Sequence, residues 1–132
     1  MNDAVTRLLR EFQLREPARI SDVAEAERAL EAEFPESYRT FLSSANGGEG
    51  PIGDESYLIL WPVEELVQHN EGYKADSTYA PDLVFIGTDG GNEVFAFRRV
   101  DGSFVSAPLI GMAPEEVQVR GPNFQGFLES FP

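Results

Sequence analysis

Val5, Leu8, Leu9 and Phe12 recur at i, i+3, i+4 and i+7, the spacing that puts four apolar side chains on one face of a helix. The pattern predicts a short first helix over residues 3–13, with Pro17 closing the segment. Asp22, with Glu25 three residues on, reads as an N-cap of the capping-box kind, and Val23, Ala26, Leu30 and Phe34 follow at helical spacing. Pro35 interrupts this stripe but suits the first turn of another helix, for which Tyr38, Phe41, Leu42 and Ala45 supply the apolar face. Asn46-Gly47-Gly48 stops that helix, and the run through Gly50, Pro51 and Gly53 predicts an irregular acidic loop carrying Glu49, Asp54 and Glu55.

Beyond this loop the period changes. Tyr57-Leu58-Ile59-Leu60-Trp61 is a continuous apolar run bounded by Pro62, which predicts a buried strand. Pro62 then opens a short helix to about His69, with Glu64 and Glu65 near its positive end. Residues 70–82, with Gly72, Asp76, Ser77, Thr78 and Pro81, sustain no period and read as a loop. Leu83 to Gly87 and Glu93 to Val100 predict two strands joined at Thr88-Asp89-Gly90-Gly91-Asn92. Asp101-Gly102 then predicts a tight hairpin turn into a strand at Phe104-Val105, giving an antiparallel meander. Between Pro108 and Arg120 a strand tail, a helical turn and a loop all stay open, and Phe124, Phe127, Leu128 and Phe131 mark a closing helix. No repeat or linker interrupts the chain, so residues 1–132 read as one domain. The predicted class is α+β: an antiparallel or mixed sheet of about four to six strands packed with about four to five helices.

Charge adds the strongest bulk signal. Ten Lys and Arg against 23 Asp and Glu give a formal net charge of −13, a field that repels nucleic-acid phosphates and anionic lipid and attracts basic partners. Acidity of this kind also serves plain solubility, so on its own it names no partner. The early acid at Asp3 and the lack of an apolar leader or bilayer-length run suggest a cytoplasmic protein with no membrane association.

Candidate chemistry is sparse. The chain has no cysteine and one histidine, so thiolate sites and the usual metal clusters are excluded, and any Ser-His-Asp triad would have to use His69. No nucleophile elbow accompanies that residue, which reads instead as a surface or helix-end side chain. Gly87 to Glu93 superficially resembles a phosphate or calcium loop, but it lacks the Lys-Ser/Thr ending and the alternating acids those loops need, and it reads as a turn between strands. Paired carboxylates are expected by chance among so many acids, and a glycosidase would need a pair placed across a cleft. No catalytic residue, metal ligand or cofactor is therefore assigned. Trp61, at a strand end before proline, is open to two readings, core or contact surface.

The order of these signals is itself informative. Phe34-Pro35-Glu36-Ser37-Tyr38, Phe41-Leu42, Asn46-Gly47-Gly48, a strand, Pro62-Val63-Glu64-Glu65-Leu66, Ile86-Gly87 with Asp89-Gly90-Gly91, and Phe124-x-x-Phe127-Leu128 together resemble the SUKH superfamily. The resemblance spans roughly residues 20–131 and leaves residues 1–19 as an N-terminal helical elaboration, with Phe34 standing where the family typically has leucine. It implies an antiparallel sheet packed with helices, no enzymatic activity and no cofactor. It also implies one of two roles: a bacterial immunity protein with a dedicated toxin partner, or a regulatory or scaffolding module of the fungal cell-wall-regulator type. For the first role the expected contact residues are Glu49, Asp54, Glu55, Asp76 and Glu93, with Trp61 or Tyr73 as an aromatic anchor, on a monomer or weak homodimer. Asn46, Gly47, Gly48, Asp89, Gly90 and Gly91 match the family motif and are expected to shape turns. An enzyme using carboxylates is a third reading, and a pocket enclosing two acids with raised pKa values would be its mark.

Overall fold

The structure, a computed structural model, describes residues 1–74, 82–110 and 114–132. Among these, five α-helices accompany a seven-stranded sheet, one strand more than the sequence pattern predicts. The sheet runs β1 (Gln13–Leu14), β2 (Gly48–Ile52), β3 (Ser56–Leu60), β4 (Leu83–Thr88), β5 (Glu93–Arg98), β6 (Phe104–Pro108) and β7 (Gln118–Gly121) in chain order, every neighbour antiparallel. Strands adjacent in sequence are thus adjacent in space, the simplest antiparallel topology.

The helices follow the apolar stripes, with shifted ends. α1 (Asp3–Leu8) is capped by Asn2, whose Oδ1 accepts the Val5 N–H at 2.8 Å, and it stops well short of residue 13. The freed residues instead turn back to form β1 on the sheet edge. α2 (Ile20–Leu30) begins two residues before the expected cap: Arg19 occupies the cap position without a side-chain bond, and Asp22 sits in the first turn, where its charge still opposes the helix dipole. α3 (Glu36–Ser44) starts after Pro35 and buries Tyr38, Phe41 and Leu42, as the stripe predicts. A 3-10 turn at Val63–Glu65 leads into α4 (Leu66–Lys74), and α5 (Phe124–Glu129) closes the chain under an Asn123 cap. No helix among the described residues is long and apolar enough to cross a membrane.

Residues 48–52, expected as irregular loop, are a strand. Glycine is what lets this strand form, because a Cβ at Gly48 would stand 2.5 Å from the Gln13 carbonyl oxygen, and Gly48 has φ +149°. The chain can therefore approach β1 at backbone distance, and a run that looks too glycine-rich for regular structure becomes a close-packed strand. β7 was hidden for a different reason, since Gln118-Val119-Arg120-Gly121 is an edge strand with little of its surface buried and so has no apolar run to announce it.

An aromatic cluster fills the space between the sheet and α3 and α5. The Tyr38 ring lies 5.4–6.4 Å from those of Phe34, Phe97, Phe104 and Phe124, in tilted and edge-to-face arrangements that favour ring quadrupoles. Phe127 stacks on Phe104 and meets Phe95 edge-on. The Tyr38 hydroxyl has no hydrogen-bond partner among the described residues, and its burial pushes the phenol pKa well above the ordinary tyrosine range. Since an unpaired buried hydroxyl opposes folding, Tyr38→Phe is expected to raise stability by about 1 kcal/mol, read as a higher urea midpoint. A lower midpoint would mean that the hydroxyl has a partner.

Burial differs along the sheet in a way that positions the site. β4, β5 and β6 are buried at nearly every position, so both of their faces are covered. β2 and β3 instead alternate, with Ile52, Leu58 and Leu60 inward and Glu49, Pro51 and Tyr57 outward. One side of the β2–β3 hairpin is therefore a solvent-facing sheet surface.

Candidate protein-binding surface

On that surface the register sets Glu49 opposite Ile59 and Pro51 opposite Tyr57. Tyr57, 42% exposed, donates its hydroxyl proton to Glu49 Oε2 at 2.7 Å. That bond, more than desolvation or the carboxylate charge, raises the Tyr57 pKa and fixes the ring over the strand.

Two depressions lie near this pair, the second on the side of the sheet that α5 packs against. One, of about 420 Å³, is bounded by Leu14, Arg15, Glu49, Ile59, Trp61 and Glu65. The other, of about 400 Å³, is bounded by Glu55, Tyr57, Asp89, Glu93, Arg120 and Phe131. Glu49 and Glu65 thus line the first with Arg15, and Glu55, Asp89 and Glu93 line the second with Arg120. Arg120 is partly withdrawn from solvent. Its Nε donates to Ser130 Oγ at 2.9 Å and its guanidinium rests 4.5 Å from the centre of the Phe131 ring, with burial lowering its pKa against the opposing pull of Glu93.

The turns that shape the surface are built by the motif residues. Asn46 Oδ1 accepts the Val63 N–H at 2.8 Å and its amide donates to Glu64 at 2.7 Å, tying the end of α3 to the turn before α4. Asp89 Oδ1 accepts the Gly91 and Glu93 N–H groups, closing the β4–β5 turn.

The sequence-predicted contact residues fall into three groups. Glu49 lies on the solvent-facing side of the hairpin, Glu55 and Glu93 line the second depression, and Asp54 is exposed in the β2–β3 turn, where its N–H and that of Glu55 donate to the Pro132 carbonyl. Trp61 is only 7% exposed, stacked 3.9 Å from His69 at 14° and 5.8 Å from Tyr73, so the core reading describes it. Tyr73 is half-buried between that stack and the edge of Phe85, and Asp76 lies outside the described residues. Sequence reasoning passed over Tyr57, Ile59, Glu65 and Asp89. In Tyr57-Leu58-Ile59-Leu60 all four residues are apolar or aromatic, so no polar residue marks which face is wet.

Among the described residues nothing comparable to a catalytic constellation accompanies this surface. A third depression, about 630 Å³ between α1, α3 and α5, holds two carboxylates, Glu36 and Asp101, both exposed. Asp101 accepts the Ser103 hydroxyl and N–H, which lowers its pKa, the wrong direction for a general acid. Among the described residues no group of three His, Asp or Glu side chains could hold a metal ion.

A helix-flanked antiparallel meander with one solvent-facing acidic sheet surface is the class that fold and site define. Residues 17–130 match the SMI1 / KNR4 family (SUKH-1), and the chain belongs to that family. The match begins after α1 and β1 and takes in every candidate surface residue except Leu14, Arg15 and Phe131. No functionally curated protein matches the chain.

Proposed function

We propose that this chain is a non-enzymatic protein-binding domain that neutralises a cognate toxin by direct one-to-one binding in the cytoplasm. The observation that carries the reading is the acidic sheet surface on a member of this family. A net charge of −13 raises the encounter rate with a basic surface, by roughly 10 to 1,000-fold at low salt, and opposes pairing of the chain with itself. A toxin that works on nucleic acid carries such a basic surface, and covering it would stop its action. Glu49, Asp54, Glu55 and Glu93 are the proposed contacts, together with Asp76, while Trp61 packs at the margin of the first depression against His69 and Tyr73.

Co-expression with the product of the adjacent gene tests the proposal. Restored growth and a stoichiometric complex are expected. Absence of both would favour a regulatory or scaffolding domain bound to an endogenous protein.

A further inference from the structure

The β2–β3 turn carries Asp54 and Glu55 at an exposed tip, yet its backbone is not left to water. The Asp54 and Glu55 N–H groups donate to the Pro132 carbonyl oxygen at 3.0 and 3.1 Å, and the Ser56 hydroxyl donates to the same oxygen at 3.1 Å. Three donors of one turn thus converge on an acceptor that lies 76 residues along the chain from Ser56. Gly53, at φ +65°, makes room for it, because a Cβ there would overlap that oxygen.

The residue before Pro132 holds the acceptor in place. The Phe131 ring meets Phe95 and Phe127 edge-on, 5.2 Å from each, and the Arg120 guanidinium lies 4.5 Å from its centre. Arg120 is itself fixed by donating to Ser130 Oγ, whose hydroxyl donates to the Phe127 carbonyl at 2.6 Å. The family match stops at residue 130, so neither Phe131 nor Pro132 belongs to it. Resting on the reading of Asp54 and Glu55 as partner contacts, we propose that Phe131 and Pro132 form a strap that fixes the β2–β3 turn before any partner arrives. The Phe131 ring is the anchor, the Pro132 carbonyl is the catch, and both are positioning residues for the two acids. A turn ordered in advance spares the partner the entropy of ordering it.

The test follows amide hydrogen exchange of the free chain by NMR, with the Phe85 amide, which donates to Asn70 Oδ1, reporting on the fold as a whole. In the full chain the Asp54 and Glu55 amides are expected to be protected despite their exposed position. Deleting Phe131 and Pro132 should bring both close to the rate of an unstructured peptide, a change of about tenfold or more, while Phe85 stays protected. Phe131→Ala keeps the carbonyl and removes its anchor; it should speed the same two amides by at least about threefold, and it decides the matter should the deletion fail to fold. Turn amides that are unprotected in the full chain, or that keep their protection in Phe131→Ala, would overturn the strap. So would rates that rise at the turn and at Phe85 in the same proportion, since the two residues would then act on the whole fold. No partner enters the measurement, so a missing toxin complex rejects the toxin reading and leaves the exchange result untouched.

Discussion

Replacing Asn70 with alanine is expected to destabilise the fold by roughly 3–5 kcal/mol, because one buried side chain completes an edge that no strand covers. β3 pairs with β4 only at Ile59↔Thr88 and Leu60↔Gly87, so the first half of β4 diverges from its neighbour. Asn70, projecting from α4, fills in there: its amide donates to the Phe85 carbonyl at 2.9 Å and its Oδ1 accepts the Phe85 N–H at 2.8 Å. It also donates to the Leu66 carbonyl at 2.8 Å within its own helix. Truncation leaves a buried donor and a buried acceptor of the backbone unpaired, each costing about 1–3 kcal/mol. Asn70→Asp is expected to lose nearly as much, since an ionised carboxylate cannot donate and would face two carbonyl oxygens. Urea unfolding monitored by Trp61 fluorescence measures both, and a loss below about 1 kcal/mol for Asn70→Ala would mean that water replaces the amide at no penalty.

Gly87→Ala is expected to cost at least about 3 kcal/mol, for a steric reason that a second glycine isolates. Gly87 pairs with Leu60 on one side and Phe95 on the other, across a register shift between Phe85 and Gly87. A Cβ there would overlap the Ile59 carbonyl oxygen, so the backbones of β3 and β4 would have to separate. Gly90 supplies the contrast. It has φ +85°, yet the nearest atom to its missing Cβ is Ile59 Cδ1 at 3.6 Å, so Gly90→Ala bears conformational strain without a clash and should cost only about 1 kcal/mol. Thermal unfolding of the two variants side by side checks the account. Equal losses would mean that the strands are not in backbone contact at Gly87. The same contact positions Ile59 on the solvent-facing side of the β2–β3 hairpin.

Helical periodicity located α2, α3 and α5 well, since each presents a full apolar stripe to one core. It overran α1, where Phe12 continues the stripe but belongs to the chain returning toward β1. The meander from β4 to β6 was legible because its turns carry Asp89-Gly90-Gly91 and Asp101-Gly102, and Gly90 and Gly102 do adopt positive φ. β2 was illegible for the opposite reason: glycine ordinarily signals a break, and only a neighbouring backbone, invisible in one sequence, turns Gly48 and Gly50 into packing residues. The candidate surface was half legible. The acids Glu49 and Glu55 could be picked as exposed from composition and loop context, whereas Trp61, before proline, was open to both a core and a contact reading. Its burial depends on the stack with His69 and Tyr73 from the next helix. Tyr57 could not be told from its apolar neighbours until β2 supplied Glu49 as the acceptor of its hydroxyl.

The central claim is that an acidic, non-catalytic domain captures a basic toxin. Its most direct test is the association rate of the purified chain with the product of the adjacent gene, followed as salt is raised. The account predicts a one-to-one complex whose association rate falls by about tenfold or more between low and high ionic strength, while the dissociation rate changes little. A complex whose association rate is indifferent to salt, or no complex at all, would contradict it.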